Sequence, residues 1–168
     1  MLLARFRMAL TGTLCRRRHR QEPKATMTDD SVPPPHLTVG LIAHDSKKPA
    51  MVDWVGRWLD TLTPHELIAT GTTGGELLAA HPGLSLRRLR SGPLGGDQQM
   101  GALIAEEKID ALVFFIDPLT AMPHDVDVKA LIRLAALYDV PVACNPATAD
   151  CIAASLASLA PPATRRSE

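Results

Sequence analysis

Ile109-Asp110-Ala111-Leu112-Val113-Phe114-Phe115-Ile116 is the most strand-like stretch of the 168-residue chain. Past Asp110 it is apolar at every position, so a strand here is buried on both faces, as a central parallel strand is. Helical patterns flank it: Gln98–Glu107 before, and Val126–Tyr138 after, with Val128, Leu131, Ile132, Leu134, Ala135 and Leu137 turned inward. Further out the alternation continues. Leu37–Ala43, Glu66–Ala69, Leu84–Leu89 and Val140–Cys144 read as strands. Lys48–Leu62, Glu76–Ala80 and Ala147–Leu156 read as helices, with Pro82-Gly83 stopping the second. Arg87, Arg88 and Arg90 mark Leu84–Leu89 as an edge strand. The pattern predicts one three-layer α/β domain: a parallel sheet of five or slightly more strands, with helices on both faces. Parallel crossovers return the chain to the same side each time. His44, Thr70, Ser91, Asp117 and Asn145 then share the carboxyl rim, where such sheets bind ligands.

Composition narrows the function. The chain is 46% hydrophobic but only 4% aromatic, so it lacks the stacking faces that single-stranded nucleic acid needs. Its formal net charge of zero hides an asymmetry. Residues 1–26 hold seven basic residues against Glu22 alone, and the rest holds 11 basic and 17 acidic. The body is therefore acidic and has no nucleic-acid footprint. No apolar run is long enough to span a bilayer. Cys15, Cys144 and Cys151 are odd in number and show no CxxC spacing, which points to a reducing, cytoplasmic setting. Residues 1–35 read as a basic, disordered extension. The basic Arg16–Arg18 run follows the apolar one, the wrong order for a secretory signal. A transit peptide, or a true start at Met27, are the other readings. The domain is expected over 36–158 and a flexible tail over 159–168.

Four short segments carry small and polar residues at strand ends. Thr70-Gly71-Thr72-Thr73-Gly74 leaves a strand and enters a helix, so its N–H groups and hydroxyls suit a phosphate cradle. It equally suits a turn with a threonine cap, and it matches neither dinucleotide nor P-loop fingerprints. Ser91-Gly92 adds a hydroxyl and an N–H. Lys48, one turn past His44, offers a positive charge, although beside Lys47 the spacing alone favours a solvated lysine. Asp97, after Gly95-Gly96, is a general-base candidate. Asp is also a preferred helix cap, but a plain cap does not need two glycines. His124 and Asp127, three apart after Pro123, can share a helix face, and a neutral imidazole at a helix start can polarise a carbonyl. Asp125 and Asp127 also suit a cap and the helix dipole, and Asp45, Asp117 and Asp150 suit caps or supports. His19, His36, His65 and His81 read as surface or tail residues. No set shows metal-ligand spacing.

These segments resemble the methylglyoxal synthase family. The match is carried by GLIAHDSKK (40–48), ATGTTG (69–74), the run from SGPLGGDQQ to KALIRLA (91–135) and VPVACNPATAD (140–150). It spans roughly His36 to Ser155. The resemblance implies a Rossmann-like fold and a carbon–oxygen lyase that converts glycerone phosphate to methylglyoxal and inorganic phosphate. It implies no metal or organic cofactor, a cytoplasmic homohexamer, and inorganic phosphate as product and inhibitor. By the same resemblance Asp97 is the base, and His124 hydrogen-bonds the enediolate oxygen. His44, Lys48, Thr70, Gly71, Thr72, Thr73, Ser91 and Gly92 contact substrate or phosphate, and Asp45 and Asp127 are acids that hold or assist the site. Departures are Ile116 for a usual Trp, Val126 for Pro, Glu107 for Gly, and a poor match over Gly75–Arg90. Typical members continue past Ser155 to a basic end that reaches a neighbouring subunit's phosphate; here Arg165 and Arg166 follow an alanine-rich run. The competing readings are a non-catalytic phosphometabolite-sensing regulatory module of the same fold and an inactive oligomer-forming relative. The joint presence of Asp97, His44, His124 and Asp127 favours the enzyme.

Overall fold

A computed structural model describes residues 36–119 and 125–159. Five strands form one all-parallel sheet: β1 (Thr38–Ala43), β2 (Glu66–Ala69), β3 (Arg87–Arg88), β4 (Ala111–Phe115) and β5 (Val142–Ala143), in the order β3-β2-β1-β4-β5. The helices are α1 (Lys48–Arg57), α2 (Leu59–Leu62), α3 (Gly71–Ala80), α4 (Gly96–Ala105), α5 (Asp125–Leu137) and α6 (Pro146–Leu159).

β1 and β4 are the central pair, in register from Val39 opposite Ala111 to Ala43 opposite Phe115. Alternation along β4 feeds two cores. Val113 and Phe115 join Val39, Leu41, Leu67, Met51, Trp54, Leu77 and Ala153, so α1, α3 and α6 cover one face. Leu112 and Phe114 join Ile42, Ile68, Met100, Ile104, Leu131 and Ala135, so α4 and α5 cover the other. Each fully buried Leu, Ile, Val, Phe or Met in these layers contributes about 1.5–3 kcal/mol. The chain builds outward from β1 through β2 to β3, then crosses back to β4 and β5. The crevice where the order reverses lies between the carboxyl ends of β1 and β4.

Several details depart from the sequence expectations. The helix expected over Lys48–Leu62 breaks at Trp58, which caps α1 and opens α2. The break lets both indoles reach one acid: Trp54 Nε1 and Trp58 Nε1 donate to Asp150 Oδ1 on α6, at 3.0 and 2.8 Å. β3 is reduced to two paired residues, both exposed, in keeping with an edge. His65 is not a surface residue, and His81 is only partly exposed. His65 is buried, and its Nδ1 accepts from Leu37 N–H. His81 Nε2 contacts Val52 O at 3.1 Å. His65 lies at the amino ends of β1 and β2, across the sheet from the ligand rim.

α4 and α5 both end in a left-handed residue, with φ of +56° at Glu107 and +54° at Asp139. At the end of α4, Glu107 N–H bonds Ile104 O and Lys108 N–H bonds Leu103 O, the paired closure of a Schellman motif. Glycine takes this conformation without the Cβ clash. Glu107 therefore sits where the backbone favours glycine. Glu107→Gly is expected to stabilise the fold by about 0.5–1 kcal/mol, the relieved clash exceeding the added freedom of the unfolded chain. A denaturant midpoint moved upward at unchanged slope is the readout; a lower midpoint is the failing result.

Candidate active site

The carboxyl rim gathers the ends of all five strands, and the described residues expected there arrive as expected. His44 follows β1. Its N–H reaches Phe115 O at 3.1 Å, carrying the β1–β4 ladder one residue further. Its Nδ1 accepts the Asp117 N–H at 2.9 Å. That bond fixes the neutral tautomer with the proton on Nε2. The ring stands edge-on to Phe114, with centroids 5.3 Å apart. Partial burial lowers its pKa from 6.5, against the opposing pull of Asp117, Asp97 and Asp45. His44 is therefore a neutral donor at pH 7, with Asp97 close enough for its charge to be felt.

The segment expected to lead from a strand into a helix at Glu76 already forms the cap and first turn of α3. Thr70 is its N-cap residue, extended at φ −65°, ψ 153°, but makes no side-chain cap. Its hydroxyl lies 3.3 Å from Thr73 Oγ1 instead, and Thr73 Oγ1 in turn meets Ala43 N at 3.3 Å and Ala43 O at 3.4 Å. Thr70 and Thr73 are buried, and their hydroxyls lock α3 to the end of β1. Gly71 N–H is taken by Arg90 O at 2.9 Å. The N–H groups of Thr72 and Thr73 remain in the first turn, where a helix offers them no partner of its own. They point with the helix dipole at the rim and suit an anion. α6 starts at the same rim in the opposite condition: Asn145 Oδ1 caps Thr148 N–H at 3.0 Å.

Close backbone contact joins this turn to the Ser91 loop. A Cβ on Gly71 would lie 2.7 Å from Ser91 N, and one on Gly96 would lie 2.0 Å from Arg90 O. A 3-10 turn, Gly92–Leu94, leads into Gly95, whose φ of +95° is glycine's own region. Asp97 is therefore the second residue of α4 rather than its cap, which is Gly95. Its half-buried carboxylate rests on the loop: a Cβ on Gly92 would meet Asp97 Oδ2 at 2.8 Å. The two glycines before it make this placement possible.

Lys48, read from its spacing as a solvated lysine, is buried. Its ammonium bonds Asp45 Oδ1 at 2.6 Å and approaches Glu76 Oε1 at 3.5 Å. The Lys48 hydrogen bond and charge lower the pKa of Asp45. Asp127 Oδ1 accepts from Gln98 Nε2 at 3.0 Å, tying the start of α5 to that of α4. His124 lies outside the described residues. Three further groups, Gln98, Gln99 and Ser46, emerge that the sequence reading left without a role in the site. Gln99 Oε1 holds Arg90 N–H at 2.8 Å, Gln98 holds Asp127, and Ser46 Oγ donates to Asp117 Oδ2 at 2.6 Å. Asp117 Oδ1 also accepts Leu119 N–H, so this acid braces the β1 and β4 loops together. The signal for the glutamines was the amide pair following Asp97: adjacent helix residues point about 100° apart and so serve different neighbours. Among the described residues, no group of three or more His, Cys, Asp or Glu is placed to hold a metal ion.

A family model described as MGS-like domain matches residues 50–144, more than half of the chain. A methylglyoxal synthase of Rhizobium rhizogenes is 62% identical over 112 residues, covering 67% of this chain and 89% of that protein. One from Cellvibrio japonicus is 54% identical over 122 residues, covering 73% and 79% respectively. The chain belongs to the methylglyoxal synthase family. The crystal structure of methylglyoxal synthase from Elizabethkingia anophelis NUHP1 superposes with a TM-score of 0.67 at 50% identity, over 72% of this chain and 79% of that one. Membership of the methylglyoxal synthase family thus rests on sequence and on the parallel sheet together.

Two outcomes test this geometry. Gly92→Ala is expected to push the Asp97 carboxylate aside and to cut kcat about 100-fold, on the scale of a 1 Å misplacement, with the melting temperature little changed. Unaltered turnover would break the link between Gly92 and Asp97. For His44, nitrogen NMR is expected to show the Nε2–H tautomer and a titration midpoint below 6.5. Because the unfolded state then takes up a proton first, His44 contributes a loss of stability as pH falls below 6.5. A midpoint above 6.5 would contradict the assignment.

Proposed function

We propose that this protein is a methylglyoxal synthase, a carbon–oxygen lyase that converts glycerone phosphate into methylglyoxal and inorganic phosphate. The observation that carries the reading is the half-buried Asp97 carboxylate lying against Gly92, beside the uncapped start of α3. A base and an anion site belonging to different elements are thereby held on one rim.

In this reading the Thr72 and Thr73 amides, Ser91, Gly92 and Lys48 grip the phosphate, with Thr70, Gly71 and Thr73 shaping the cradle. Asp97 takes a proton from the hydroxymethyl carbon next to the carbonyl. The C–H electron pair forms the carbon–carbon double bond, and negative charge develops on the carbonyl oxygen. His44 Nε2–H faces that charge as a neutral donor, and the family resemblance assigns His124 the same task. The oxygen on the former hydroxymethyl carbon then forms an aldehyde carbonyl, its proton passing to the neighbouring oxyanion. The carbon–carbon double bond shifts to the phosphate-bearing carbon, whose bond to phosphate oxygen breaks. The released enol takes a proton on that carbon and loses its O–H proton to become methylglyoxal. Expulsion requires that bond to stand perpendicular to the enediolate plane, so the grip on phosphate selects elimination over isomerisation. Asp127, held by Gln98, and Asp45, held by Lys48, support the site as positioning acids.

Inorganic phosphate occupies the same cradle and is assigned as an inhibitor. A cytoplasmic homohexamer is the assembly this reading adopts, with the domain over 36–158. Among the described residues no helix is long and apolar enough to cross a membrane. The sensing-module alternative has no observation in its favour.

Asp97→Asn keeps the shape of the side chain and removes the base. It is expected to lower turnover of glycerone phosphate by about 10²–10⁴-fold while phosphate still binds. A wild-type protein that binds phosphate and never releases methylglyoxal would overturn the assignment.

A further inference from the structure

Glu76 is a carboxylate that the proposed chemistry does not use, yet it faces the cation of the cradle. It stands in the second turn of α3, five residues past Gly71. Its Oε1 lies 3.5 Å from Lys48 Nζ, opposite Asp45 Oδ1 at 2.6 Å. The Lys48 side chain is only 8% exposed, whereas those of Glu76 and Asp45 are 50% and 91% exposed. One enclosed ammonium thus serves two carboxylates. An arriving anion does not meet an idle lysine; it meets one already neutralised, with a surplus negative charge beside it.

We propose that Glu76 sets the anion affinity and selectivity of the cradle by competing with the ligand for Lys48. The proposal rests on the reading of Lys48 as a phosphate ligand. Its physical content is an exchange: the phosphate takes charge pairing from Lys48 that Glu76 gives up. A dianionic phosphate monoester gains enough from the ammonium and the α3 amides to complete that exchange. A carboxylate or a singly charged phosphodiester brings half the charge and is disfavoured. Glu76 is therefore a device against ordinary metabolite carboxylates, at the expense of some affinity for the true ligand. Asp45 does not substitute for it, because its pairing is a short hydrogen bond within one turn, while Glu76 reaches across from the cradle helix itself.

The test uses the full-length protein and inorganic phosphate, by titration calorimetry, with steady-state kinetics on glycerone phosphate alongside. Glu76→Gln is expected to tighten phosphate about three- to tenfold, as befits a half-exposed ion pair, and to lower KM by a like factor while kcat moves less. The gain is expected to shrink as salt rises, and to vanish when Lys48→Met is combined with it. Acetate is expected to leave the wild type unaffected and to become a measurable competitor in Glu76→Gln. Glu76→Leu serves as the second charge-removing variant should the amide unsettle α3. Unchanged or weaker phosphate binding in variants that melt at the wild-type temperature would overturn the proposal, as would an undiminished gain without Lys48. A wild-type protein that fails to bind phosphate would overturn the cradle reading as well; one that binds it, with Glu76→Gln indistinguishable, would overturn only the role of Glu76.

Discussion

The backbone of Arg90 is the pin on which the site turns. Its carbonyl accepts Gly71 N–H, its N–H is held by Gln99, and the same carbonyl fills the space a Gly96 side chain would need. Three segments separated in sequence meet at the main chain of one residue: the start of α3, the end of β3 and the start of α4. Only glycine permits that density of backbone at Gly71 and Gly96. The start of α3 and the start of α4, with Asp97, are thus fixed relative to each other by main chain, whose geometry is far stiffer than that of any side chain. Such preorganisation is what a proton transfer followed by expulsion of an anion demands.

On the other side of the rim the constraint is carried by side chains. His44 is held through Nδ1 by the Asp117 N–H, and Asp117 is held by Ser46 and Leu119. The result is an imidazole with Nδ1 committed to structure, which leaves Nε2 to carry the proton. Burial keeps it neutral despite three carboxylates whose charges favour the protonated form. Desolvation is the largest influence on the ring, which leans on Phe114.

The strands were legible because burial on both faces leaves an unmistakable apolar signature, as Leu112 through Phe115 show. The rim was legible because parallel topology sends every strand end to one side. The first turn of α3 was not legible as helix. Gly71, Gly74 and Gly75 each oppose helix by about 1 kcal/mol relative to alanine, and two threonines add to that. Tertiary contact overrides propensity there: the Thr73 hydroxyl is anchored to Ala43, and a Cβ on Gly74 would press on Arg88 and Leu86. The buried state of Lys48 was hidden for a related reason, since one of its two partners, Glu76, is remote in sequence. His65 looked like a loop residue, but Leu37 N–H at the head of β1 needs an acceptor and finds it in the ring.

Trp54 and Trp58 are the chain's two tryptophans, and both indoles converge on the Asp150 carboxylate. All indole emission from this protein therefore originates at the seam between α1 and α6, under electrostatic influence of one negative charge. α1 begins at Lys48 and α6 directly follows the fifth strand. A fluorescence spectrum is consequently a built-in gauge of whether those two helices remain docked, obtained without any label.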